Sequence, residues 1–191
     1  MSAAELLRTA RLSAGFTQRE LSARSAIPQP RIAEIESWTH GTSVERLSAL
    51  LNVLGYRLAP IPTTSKGVWE QAVEIKQCLE NQSEEVAWRR FIQLSDDLHN
   101  ANSAIRVSLR VTEPLTTQDP GFDALLAGLA EYWLGKDSLP IPEWINTPSR
   151  FLLEPWDVEP VEALKAKARS QTPPAFLRHG IYLAWSEIAS L

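Results

Sequence analysis

The chain has 191 residues, 44% of them hydrophobic and 22% charged. That is enough for a small domain beside a larger one, and it is far from a disordered composition. MSAAELLRTARLS places Glu5, Arg8 and Arg11 where a secretory leader has its apolar core, and no apolar run approaches the roughly 20 residues of a membrane helix. The single cysteine, Cys78, excludes an internal disulfide framework and a cysteine-based metal cluster. The expected compartment is therefore the cytoplasm, with no membrane contact.

A net charge of −4 conceals an asymmetry. Residues 1–60 carry seven arginines against five glutamates, a net +2, while residues 61–191 carry 12 basic and 18 acidic side chains, a net −6. A mildly basic head on an acidic body suits a chain whose head meets phosphate while its body stays clear of it.

In the head, Ser2/Glu5, Thr17/Glu20 and Thr42/Glu45 each set a hydroxyl three residues before a carboxylate, the pattern of a capping box. It predicts helices near 3–14, 18–25 and 43–54. Leu7, Leu21, Ile32, Ile35, Leu47, Leu50, Leu51 and Leu54 recur at spacings that put them on one face of each helix. A small four- or five-helix core is expected. Between the second and last of these helices, another opens on Pro28-Gln29-Pro30. With Pro28 as N-cap, Pro30 falls in the first turn, where its missing N–H has no intrahelical partner to lose. The helix still forms, with one backbone donor fewer for a phosphate at its N-terminus.

The run LRTARLSAGFTQRELSARSAIPQPRIAEIE, then a glycine, a helix and Leu54-Gly55, resembles a Cro/C1-type (XRE) helix-turn-helix domain over residues 1–58. Arg11, Thr17-Gln18, Glu20-Leu21, Ile27, Ile32 and Glu36 carry the likeness; Pro28, Pro30, Ala33 and Ser37-Trp38 depart from it. The resemblance implies binding to double-stranded DNA, as a homodimer on a palindromic operator. Geometry and the family pattern together assign base readout to Gln29 and Arg31, the exposed polar residues near the start of the recognition helix. Gln–adenine and Arg–guanine are the standard bidentate pairings of the major groove. Gln18, Arg19 and Arg24 are the expected phosphate contacts. Glu34 points outward too and repels phosphate, so the helix is not expected to lie flat along the groove.

Residues 59–67, APIPTTSKG, break the helical pattern as a linker, and residues 68–191 form a larger helical domain for dimerisation and partner binding. Trp69, Ala72, Val73, Lys76 and Leu79 mark one helix, and Ala87, Phe91, Leu94, Leu98, Ala101 and Ile105 a second, interrupted near Asn100-Ala101-Asn102. Asp119-Pro120 starts a third, through Leu125, Leu126, Leu129 and Trp133 to Gly135. SLPIPEWINTPSRFLLEPW cannot be a regular helix. Val161 to Arg169 is amphipathic, and Thr172-Pro173 opens another short helix. Strand-like alternation is nearly absent, so the fold class is all-α. Three scattered histidines and the lack of any phosphate-binding loop or nucleophile elbow argue against an enzyme, and no cofactor or metal is expected.

Trp144, Phe151 and Trp156 stand in the Pro-rich segment, either as core or as anchors for a partner. The tail from Phe151 to Leu191 is similar to the ends of helix-turn-helix proteins paired with AbiEii-type nucleotidyltransferase toxins. That likeness implies an antitoxin-repressor. A ligand-sensing XRE-family regulator and an interaction module without DNA affinity are the alternatives.

Overall fold

The computed structural model describes residues 2–188, so the closing residues 189–191 of the tail, expected above to bind a partner, lie outside it. The chain divides into two compact units, residues 1–61 and 62–191. Ten α-helices, three short 3-10 helices and one pair of two-residue strands make up the regular structure of the described residues, and the fold is all-α.

In the first unit, α1 (Ala3–Ser13), α2 (Gln18–Ser25), α3 (Gln29–Glu36) and α4 (Val44–Val53) surround Leu7, Leu21, Ile32, Ile35, Leu50 and Leu51. The first two capping boxes close as the spacing predicts. Ser2 Oγ accepts from the Glu5 N–H at 3.1 Å and Glu5 accepts from the Ser2 N–H at 3.1 Å; Thr17 and Glu20 repeat the exchange at 3.2 and 2.7 Å. The third does not. Ser43, one residue later than expected, is the N-cap of α4 and its hydroxyl accepts from the Arg46 N–H at 3.3 Å. Two adjacent hydroxyls compete for that position, and serine caps slightly better than threonine. Thr42 Oγ1 is left buried without a hydrogen bond among the described residues.

In the second unit, α5 (Val68–Glu80) and α6 (Glu84–Asn100) pack as a hairpin, and α7 (Ser103–Ser108) follows the break at Ala101-Asn102. Asn102 caps it by accepting from the Ile105 N–H at 3.0 Å. The long helix α8 (Pro120–Lys136) is the axis of the unit. Its run of Phe, Leu and Ala is apolar around most of its circumference, and Phe122 through Ala130 are all buried. Such a helix is stable only when enclosed. The short α10 (Pro174–Arg178) reaches it at Gly128, where a Cβ would stand 2.9 Å from the Phe176 ring. Between α8 and α9 (Glu162–Ser170), the Pro-rich segment makes two 3-10 turns and then strand β1 (Trp156–Asp157), which pairs in parallel with β2 (Ile181–Tyr182). This small ladder escapes a reading by periodicity because two residues carry no alternation.

Trp144 is a core residue, not a surface anchor. It is 5% exposed, and its indole N–H donates to the Arg110 carbonyl at 3.0 Å. The Pro-rich segment must cover the core with something, and this ring does so.

Arg110 itself is fully buried, and its Nε, Nη1 and Nη2 have no hydrogen-bond partner among the described residues. Burial, with Arg106 nearby, pushes its pKa down to about 9. At neutral pH the group is still protonated in the folded and unfolded chain alike, so folding carries the cost of burying that charge. The relief comes only as pH rises through the folded value. Replacing an imperfectly paired buried ion with an apolar side chain of similar length is often neutral or stabilising by about 1–4 kcal/mol. Arg110→Met is therefore expected to hold or raise the thermal midpoint of the body by differential scanning calorimetry at pH 7. A lower midpoint would mean that the guanidinium stabilises the fold.

Candidate nucleic-acid interface

The turn between α2 and α3 is built on Ala26, whose φ of 57° places it in the left-handed region. Ser25 Oγ accepts from the Ile27 N–H at 3.3 Å and steadies the turn. Pro28 is the N-cap of α3, and its carbonyl accepts from the N–H groups of Arg31 at 2.9 Å and Ile32 at 3.2 Å. Ile32 and Ile35 then face the core beside Leu21, which turns the opposite face of α3 outward.

A polar relay, buried at Arg11 and Glu36 and half-buried at Gln18 and Gln29, sets the position of that outward face. Arg11 grips Glu36 with two parallel N–H donors, each at 2.7 Å, and gives a third N–H to the Phe16 carbonyl at 2.8 Å. The Arg11 and Glu36 side chains are 9% and 4% exposed. The glutamate bond keeps Arg11 above its usual pKa despite the opposing effect of burial. Glu36 also accepts from Gln18 Nε2 at 3.0 Å, and Gln18 Oε1 in turn accepts from Gln29 Nε2 at 2.9 Å. The order is thus Arg11, Glu36, Gln18, Gln29, linking α1, α3 and α2 and returning to the start of α3.

The relay decides what each residue still offers. Reading adenine takes one acceptor and one donor from the same carboxamide. Gln29 uses one N–H on Gln18 and keeps both its oxygen and its second N–H. Gln18 has one amide N–H left for a phosphate. Arg31 is placed differently: it donates to Glu34 at 2.8 Å and to the Gly41 carbonyl at 3.1 Å. Its guanidinium thus closes the loop after α3. The bond from Arg31, with His40 adding its charge, holds the Glu34 carboxyl below the ordinary range. Glu34 therefore stays ionised beside Arg31.

Arg19 and Arg24 are exposed, and the Arg24 guanidinium lies 4.6 Å from the centre of the Phe16 ring. Trp38 carries no assignment from sequence alone. It is 63% exposed with φ at 65°, in the loop that Arg31 closes. The only signal for it in the sequence was that Ser37-Trp38 breaks the family pattern before Gly41.

Residues 7–61 match the helix-turn-helix family model. The head is a helix-turn-helix domain. Its arrangement is of the Cro/C1 type, and the match supports DNA binding by the head. The match ends where the body begins, and no characterised protein or solved structure matches the chain. Among the described residues no helix is long and apolar enough to cross a membrane. In the body, Phe151 is half-buried and stacks on His179 with ring centres 4.5 Å apart, and Trp156 is half-buried against Phe122 at 6.5 Å.

Removing one partner of a buried pair leaves the other charge uncompensated, at a cost of about 3–5 kcal/mol. Glu36→Ala in the full chain should therefore lower the hydrogen-exchange protection of the head while leaving α8 protected. Unchanged protection of the slowest amides in residues 1–61 would mean that the relay does not hold the head together.

Proposed function

We propose that this protein is an autoregulating repressor of the antitoxin type. Its head binds a palindromic operator as a homodimer, and its body holds and neutralises a toxin of the nucleotidyltransferase class. The observation that carries the DNA half is the free donor–acceptor edge of Gln29, oriented by Gln18 at the outward start of a helix-turn-helix recognition helix. Pairing follows from size. An eight-residue α3 reaches too few base pairs for selectivity alone, and such domains work as two-fold pairs on half-sites one turn apart.

The toxin half rests on the tail's resemblance and on the net −6 of residues 61–191, which favours encounter with a basic protein surface. In this reading the body has no catalytic role, and residues 59–67 join the two functions as a linker. The operator is the promoter region of the protein's own operon.

Two readouts test the DNA half on an operator recovered by selection from random duplexes. Gln29→Ala should cost about 1–3 kcal/mol in operator affinity and relax preference at one base pair. Glu34→Gln should tighten binding, because it removes an ionised carboxylate next to the phosphates and releases Arg31 towards the groove. Equal affinity of the wild type and Glu34→Gln across a salt titration would place Arg31 and Glu34 outside the interface. For the pairing, sedimentation of the full chain on operator DNA should give two protomers per duplex; one protomer per duplex at saturation would refute it.

A further inference from the structure

We infer that an aromatic, acid-rimmed groove on the body receives an extended basic segment, bearing Arg or Lys side chains, of a protein partner. The inference rests on the partner-binding half of the reading above and adds the surface that does the binding.

The floor of the groove is Trp88, Phe122 and Trp156, and its volume is about 560 Å³. The Phe122 ring lies 6.5 Å from each tryptophan. Trp156 is held against the start of α8 by Gly121, where a Cβ would stand 2.8 Å from the ring. A side chain at 121 would displace the ring, so the absence of one builds this wall. A second hollow of about 260 Å³ shares Glu84, Phe122 and Trp156 with the first, so the two are continuous. A third, of about 890 Å³, shares Leu152 and Glu154 with the second and has the fully exposed Leu153 on its rim. Together they form an elongated trough. A compact ligand would fill one hollow; a stretched peptide fills the series.

The charge is one-sided. Glu84, Glu85, Asp119, Glu154 and Glu159 line the first two hollows, and no Lys, Arg or His lines them among the described residues. Three of these carboxylates have local work: Glu85 pairs with Arg89, Asp119 caps α8 through the Phe122 N–H, and Glu159 accepts from the Val161 N–H. Glu84 lines both hollows, and Glu154 lines the second and the third. Aromatic faces attract cations through their quadrupoles, and carboxylates at the rim add charge. Guanidinium groups satisfy both, stacking on a ring while donating to a carboxylate. Leu153 gives an apolar contact next to the charged ones, as protein interfaces do around their anchors.

The test uses the full chain and a nona-arginine peptide, followed by calorimetry and by tryptophan fluorescence at physiological salt. Wild type should bind the peptide and change its tryptophan emission. The E84Q/E154Q/E159Q variant should bind more than about tenfold more weakly, the sum of three modest ion-pair contributions. A variant with the same charge change elsewhere on the body, E80Q/E143Q/E162Q, should bind within about twofold of wild type. Equal loss in both variants, or no binding by wild type, would overturn the proposal. So would free arginine binding as tightly as the peptide, which would make the groove a small-molecule site. Co-purification with the product of the neighbouring gene separates the two readings. A complex that survives E84Q/E154Q/E159Q unchanged overturns the groove and leaves the antitoxin reading standing. Groove-dependent peptide binding without any such complex supports the groove and removes the toxin.

Discussion

The carboxylate of Glu36 is the constraint on which the DNA-binding half depends. It sits 4% exposed at the end of α3, and three donors reach it: two from Arg11 and one from Gln18. A buried charge is tolerated when it is paired and its lone pairs are satisfied, and Glu36 meets both conditions. The same bonds that satisfy it fix α1 and α2 against α3, and through Gln18 they fix the carboxamide of Gln29. Stability and the proposed readout therefore share one network. A recognition residue held by its neighbours loses less side-chain entropy on meeting a base than a free one does. The two members of the predicted base-reading pair differ in this respect. Gln29 is poised with a donor and an acceptor free, whereas Arg31 is bound to Glu34 and to the loop at Gly41 and must release them to reach a guanine.

The body follows a different plan. Its centre is α8, apolar on nearly every side, and the other elements are wrapped to enclose it. The Pro-rich segment closes one flank with Trp144 and ties itself down through Arg150, which donates to the Pro114 carbonyl at 2.5 Å and lies 3.4 Å from Asp123. His179 continues the link between the Arg150 carbonyl at 2.7 Å and Glu131 at 2.9 Å. An irregular segment needs such side-chain bonds because its backbone groups have no helix to pair in. With the interior fixed this way, the acids and half-buried rings around Trp156 are left facing outward together.

How much of this was legible in the sequence depended on how local the signal was. The helices of the head, the caps at Ser2 and Thr17, the Pro28 start of α3 and the break at Ala101 are written in a few neighbouring residues and appear as expected. The Thr42 cap failed because a second hydroxyl follows at once: only Thr42 has a glutamate three residues on, yet the folded loop sets Ser43 at the N-cap. The strands β1 and β2 are set by contacts between residues about 25 apart, which no periodicity reports. The relay was invisible for the same reason: Arg11, Gln18, Gln29 and Glu36 look like separate surface residues until the chain folds. Trp144, Phe151 and Trp156 shared one description as sequence, yet the first is core, the second stacks on a buried histidine at the far end of the trough and the third floors its first two hollows.

The central claim is that Gln18 orients Gln29 for base recognition, and a double-mutant cycle on operator affinity tests it most directly. Gln18→Ala, Gln29→Ala and the double variant would be titrated against the same duplex at one salt concentration. Residues acting through one hydrogen-bonded unit couple by about 0.5–3 kcal/mol, so the double variant should lose clearly less than the two single losses combined. Losses that add to within about 0.3–0.5 kcal/mol would show that the two glutamines meet DNA independently and that the relay has no part in readout.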